Sequence, residues 1–149
     1  MAQLLRVSSF RDLLVYQKAR KLAQEIFQST KAFPKEEMFA LTDQIRRSSR
    51  SIGAQIAEAW AKRRYEKHFI SKLTDADGEQ QETQHWIDTA QDCGYWNTTT
   101  ATNLHQKCEE IGRLLGGMLE KADIFWSEPA NVLREEFVEY FVDSEAVGQ

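Results

Sequence analysis

Between Gln44 and Trp60, the residues Ile45, Ser49, Ile52, Ile56 and Trp60 recur at steps of 4, 3, 4 and 4. That spacing lays side chains along one stripe of an α-helix rather than on alternate faces of a strand. Arg46 and Arg50 stand one turn apart on a neighbouring face with Arg47 beside them, and Ser51, Gly53 and Ala54 keep part of the surface small. One helix thus carries a core seam, a patch fit for close helix contact and a basic edge.

The same period runs along the rest of the chain. Ser9 and Asp12 have the S-x-x-D form of a capping box, so a first helix is expected from about Phe10 to Phe33-Pro34, burying Leu13, Tyr16, Ala19, Ala23, Ile26 and Phe27. Glu36 and Glu37 complement a helix dipole and set the expected start of the second helix, which continues to Ala61. A third helix over about 66–93 carries Phe69, Leu73, Ala76, Gln80, Thr83, Ile87 and Ala90. Gly94 is placed for a left-handed cap, and Asn97 and the threonines after it supply turn and N-cap residues. The fourth seam is Leu104, Cys108, Ile111, Leu115, Met118, Ala122 and Phe125, and Gly112 and Gly116, one turn apart, point to close packing. Four amphipathic helices on short connections predict an all-α, antiparallel up-down four-helix bundle over 1–126. An acidic C-terminal extension follows over 127–149, where Leu133, Phe137, Tyr140 and Phe141 would share the face of a short helix.

No apolar run approaches the roughly 20 residues that span a bilayer, and the first ten residues do not have the pattern of a signal peptide. Two cysteines, Cys93 and Cys108, without CxxC spacing suit a reducing, cytoplasmic setting. The net charge of −4 conceals an asymmetry. From Gln44 to Lys72 eight bases face two acids, a net of +6 that leaves −10 for the remainder.

Tyr16-Gln17, Phe33-Pro34, Gln44-Ile45-Arg46-Arg47-Ser48, Ser51-Ile52, Ile56-Ala57-Glu58, Glu82-Thr83-Gln84 and Gly94-Tyr95 follow one another in an order that is specific in combination. Together they resemble a bacterial four-helix-bundle family first noticed as reading frames in intervening sequences of large-subunit ribosomal RNA genes. That family includes the accessory variability determinant of diversity-generating retroelements. The sequence departs from the family pattern at Gln55, Ala59 and Gln81. The resemblance implies an up-down bundle, often a ring-shaped homopentamer, without enzymatic activity. For the retroelement members it further implies nucleic-acid binding beside a reverse transcriptase. Those members are basic overall, whereas this chain is acidic.

The residues themselves offer no catalytic constellation. Glu82 and His85 form one E-x-x-H motif, but a di-iron bundle needs two such motifs and two further glutamates, so neither a metal nor a cofactor is expected. No Gly-rich phosphate loop and no nucleophile with an oriented base can be picked out. The polar middle of the third helix is expected to hydrogen-bond to the second, in a network drawing on Gln44, Arg47, Glu58 and Glu82; a subunit interface or pore is the alternative.

Arg46, Arg50, Lys62, Arg63, Arg64, Lys67 and Lys72 are the candidate nucleic-acid contacts, with Tyr65 and His68 interleaved to stack on unpaired bases. A solvated helix connection is the alternative for the part after Ala61. Two function classes stay open: an oligomeric adaptor for RNA or DNA, or a bundle serving protein assembly alone. The tail's six acids would either dock near Lys62–Lys72 and compete with phosphate, or act only as a solubilising extension.

Overall fold

The computed structural model describes residues 8–123 and 139–142. Among them lie α1 (Leu14–Thr30), α2 (Leu41–Ala61), α3 (Glu66–Asp92) and α4 (Thr98–Glu120), with 3-10 turns at Phe10–Asp12 and Lys35–Glu37. Each helix packs against its neighbour in sequence and α1 against α4, which closes an antiparallel four-helix bundle. Among the described residues no strand forms; one antiparallel bridge joins Leu13 to Phe141.

The seams of α3 and α4 are buried at every expected described position, from Phe69 to Ala90 and from Leu104 to Ala122. Phe125 lies outside the described residues. The stripe of α1 differs: Val15, Ala19, Leu22, Ile26 and Thr30 are buried, while Tyr16, Ala23 and Phe27 sit at its edge. The Tyr16 ring packs against the core margin while partly solvated, and the Phe27 ring lies among the cations Lys31, Arg46 and Arg50. The second helix begins later than Glu36 and Glu37 suggest. Those two residues lie in a 3-10 turn, and α2 opens at Leu41, whose backbone N–H donates to Glu37 Oε2 at 3.2 Å. Glu37 therefore caps the helix from four residues upstream.

Local chemistry ends the elements. Ser9 and Asp12 form the capping box, but of the Phe10–Asp12 turn; α1 itself opens at Leu14, after Leu13 in an extended conformation. Asn97 Oδ1 accepts from Thr100 N at 2.8 Å and opens α4. Gly94 takes φ 77°, and the bonds from Gly94 N to Gln91 O and from Tyr95 N to Ala90 O complete a Schellman cap on α3.

The bundle has two unlike ends. At one, Phe33 stacks against Tyr95 and Trp96, and Tyr95 Oη donates to Glu37 Oε1 at 3.2 Å. Beside this cluster Phe39 is 94% exposed. At the other end Tyr140 and Phe141 are buried within the bundle's core. Phe141 meets the Trp60 ring edge-on with centroids 6.0 Å apart, Tyr140 lies against Gly117, and Lys121 pairs with Glu139 at 3.2 Å. The extension thus returns to the bundle. Leu133 and Phe137, also expected on its apolar face, lie outside the described residues. Of the two glycines expected at a close contact, Gly112 has the Gln80 side chain against its Cβ position, but Gly116 faces open space.

Candidate nucleic-acid interface

The connection between α2 and α3 lies at the Phe141 end. Lys62 N–H donates back to Glu58 O and Ala59 O, terminating α2, and Tyr65 N donates to Lys62 O at 3.0 Å. The basic residues of this turn divide by what they already hold. Arg63 folds back, with Nη1 donating to Trp60 O at 2.8 Å and its guanidinium 4.2 Å from the Trp60 ring centroid. Burial, with Arg64 nearby, lowers its pKa from the ordinary guanidinium value. Lys72 is also engaged: Nζ lies 2.8 Å from Glu58 Oε2 and 3.4 Å from Gln55 Oε1. The Glu58 partnership raises the Lys72 pKa and lowers that of Glu58.

Lys62, Arg64 and Lys67 have no carboxylate within 4.0 Å among the described residues. Lys62 and Lys67, with His68 and Lys72, line a cavity of about 280 Å³. Tyr65 is 68% exposed, and its ring centroid stands 5.8 Å from that of His68. Free cations beside an exposed aromatic can hold phosphate and stack a base.

Arg46 is part of the scaffold. Its Nε donates to Thr30 Oγ1 at 2.8 Å and its Nη2 to Phe27 O at 3.4 Å, so it serves carbonyl-rich backbone at the C-terminus of α1. Lys31, Arg46 and Arg50 surround the Phe27 ring at 4.9, 4.8 and 5.3 Å. Arg50 is otherwise open to solvent.

The expected network of Gln44, Arg47, Glu58 and Glu82 does not come together among the described residues. Arg47 is exposed and 4.0 Å from Asp43, Glu58 pairs with Lys72, and Glu82 is exposed. The buried polar link between α2 and α3 is shorter: Thr83 Oγ1 lies 2.9 Å from both Ser48 Oγ and Glu79 O. Small hydroxyls satisfy each other where long charged side chains escape to water. Gln80 bonds within its own helix, to Asp77 and Gln84.

A second basic surface was not visible in any single stretch of sequence. Arg11, Arg20 and Lys21 meet Arg50 across α1 and α2 around a groove of about 670 Å³ that also includes Tyr16 and Gln17. Its signal lay in α1, where Glu25 is the one acid against Lys18, Arg20 and Lys21. Among the described residues no cluster of His, Cys, Asp and Glu fits a metal ion, and no helix is long and apolar enough to cross a membrane. Burial pushes the Cys108 thiol up to about 12, whereas Cys93 is exposed.

The family model described as 23S rRNA-intervening sequence protein matches residues 11–117. A crystal structure from Bacteroides thetaiotaomicron VPI-5482, of a protein of unknown function from the S23 ribosomal protein family, is similar at 30% identity and TM-score 0.66. The similarity covers 72% of this chain and 96% of that one. No curated protein matches this chain.

Proposed function

The chain belongs to the 23S rRNA-intervening sequence protein family, and on that premise we propose that it is a non-enzymatic, oligomeric adaptor that binds nucleic acid. A homopentameric ring acting beside a reverse transcriptase or other RNA or DNA machinery is the fuller form of this reading. The observation that carries it is the set of cations Lys62, Arg64 and Lys67, without an ion-pair partner among the described residues, around exposed Tyr65, in a chain whose total charge is −4. Ring symmetry would repeat this patch and build a local positive field despite the acidic total.

Binding of a labelled RNA at increasing salt tests the reading. Phosphate contacts release counterions, so affinity falls steeply with salt and similarly for unrelated sequences. Absence of binding at low salt overturns it. A second reading, assembly without nucleic acid, is favoured by Phe39, whose ring projects at 94% exposure beside Met38 at 46%. Light scattering decides the oligomeric part: a 17 kDa particle at micromolar concentration overturns the ring.

A further inference from the structure

The charges of α1 are sorted by face. Towards α4, Lys18 pairs with Glu110 at 2.8 Å and Glu25 pairs with Lys107. Towards α2, Arg20 and Lys21 meet Arg11 from the preceding turn and Arg50 from α2 around one groove. Among the described residues no carboxylate lines this groove and none of its four cations forms an ion pair. Four like charges on three neighbouring elements repel one another, and among the described residues Arg11 and Arg50 have aromatic rings beside them but no carboxylate. An anion would offset the repulsion.

The groove is also shaped. Tyr16 packs beside Gly53 of α2, where even a Cβ would stand in ordinary contact with its ring at 3.5 Å. Phe10 meets the Tyr16 ring edge-on at 4.8 Å. Gln17 Nε2 donates to Arg11 O at 3.0 Å and ties the Arg11 turn to α1. Three of the four cations are arginines, whose planar forks bind phosphate oxygens in pairs. Arg11 precedes α1, Arg20 and Lys21 stand about two turns into it, and Arg50 reaches the Phe27 ring about two turns further on, so the cations are spread along the helix. The groove volume of about 670 Å³ exceeds what a single phosphate needs.

We infer that the α1–α2 groove is a binding track for the phosphodiester backbone of a single-stranded nucleic acid, with Arg11, Arg20, Lys21 and Arg50 contacting successive phosphates and Tyr16 offering a ring to a base. This deepens the nucleic-acid reading and rests on it. It also moves the main contact from the α2–α3 connection to the side of the bundle.

The test compares the full-length parent with two variants: Arg20→Gln/Lys21→Gln/Arg50→Gln in the groove and Lys62→Gln/Arg64→Gln/Lys67→Gln at the connection. Fluorescence anisotropy of a labelled single-stranded RNA is measured over a salt series. Arg20, Lys21 and Arg50 are exposed, so circular dichroism and the melting temperature of the groove variant should match the parent. Arg20→Lys/Arg50→Lys serves as a second variant that keeps the charge.

The groove variant should lose about ten-fold or more in affinity at low salt, and its salt slope should fall by about 2, at roughly 0.7 per lost phosphate contact. The lysine variant should keep the parental slope while binding less tightly. Parental affinity and slope in the groove variant, with loss only in the connection variant, overturn the groove and leave the broader reading standing. Absence of RNA binding by the parent overturns both. Full displacement of RNA by inorganic phosphate at constant ionic strength overturns the assignment to a polyanion, because a site for one phosphate would behave that way.

Discussion

Val142 donates its backbone N–H to the carbonyl of Asp12 across 2.8 Å, which fastens the extension to the turn that precedes α1. Leu13 and Phe141 bridge beside it, and Phe141 is only 6% exposed. The Phe141→Ala variant should lose roughly 3 kcal/mol, the low end for a buried phenylalanine. A loss of that size lowers the melting temperature by about 6 to 12 °C, which calorimetry will read. Truncation after Trp126 should destabilise at least as much. Binding of RNA by the truncated protein, measured where it is still folded, tests whether the acids of 127–149 also compete with phosphate.

Lys72 and Lys67 lie on the same helix but differ in their partners. Lys72 is held by Glu58, whereas Lys67 has no carboxylate within reach among the described residues. Lys67→Gln should therefore weaken RNA binding by a few-fold at low salt, the loss of about one phosphate contact. Lys72→Gln should leave affinity within about two-fold of the parent, since its charge is already neutralised locally. Anisotropy at one low salt concentration separates them.

The Ser48–Thr83 hydrogen bond links α2 to α3 inside the core. Ser48→Ala and Thr83→Val should each cost about 1 kcal/mol, the usual net worth of such a bond. Replacing both should cost less than the sum, because no hydroxyl is left without its partner. A double-mutant cycle by urea denaturation measures the coupling.

Two glutamates move stability in opposite directions with pH. The hydrogen bond and charge of Lys72 hold Glu58 below its ordinary value of 4.5. Its contribution is present above that value and is lost as pH falls through the lowered one. Burial first, and the Glu82 carboxylate second, raise Glu79 above 4.5. Its contribution is complete below 4.5 and lost as pH rises through the raised value, so the charged form is unfavourable at neutral pH. Glu79→Gln should thus stabilise the protein near neutrality by a few tenths of a kcal/mol after solvent screening, and Glu58→Gln should lower its melting temperature. Both differences should vanish in thermal melts run well into the acid range.

How legible each element was in the sequence depends on what kind of signal placed it. The seams of α3 and α4 could be read because their spacing alone decides which residues are buried, polar Gln80 and Thr83 included. In α1 the large rings of Tyr16 and Phe27 outweighed Val15 and Leu22 in the pattern, yet the smaller aliphatics fill the centre. The start of α2 was hidden because Glu37 caps it through a side chain from a separate turn. Basic residues adjacent in sequence, such as Lys62 and Arg64, were visible as a cluster. The groove was not, since Arg20 and Arg50 become neighbours only when α1 packs on α2.

The bond between Asp12 and Val142 spans nearly the whole described chain, whereas α1 meets α2, α2 meets α3 and α3 meets α4. Contacts between neighbours in sequence form quickly, and closing so long a loop becomes favourable only after a partner surface exists. The last segment should therefore attach after the rate-limiting step of folding. Contacts made that late leave the folding rate nearly unchanged and slow unfolding instead. Attachment of residues 139–142 thus lengthens the lifetime of the folded state without hastening its formation.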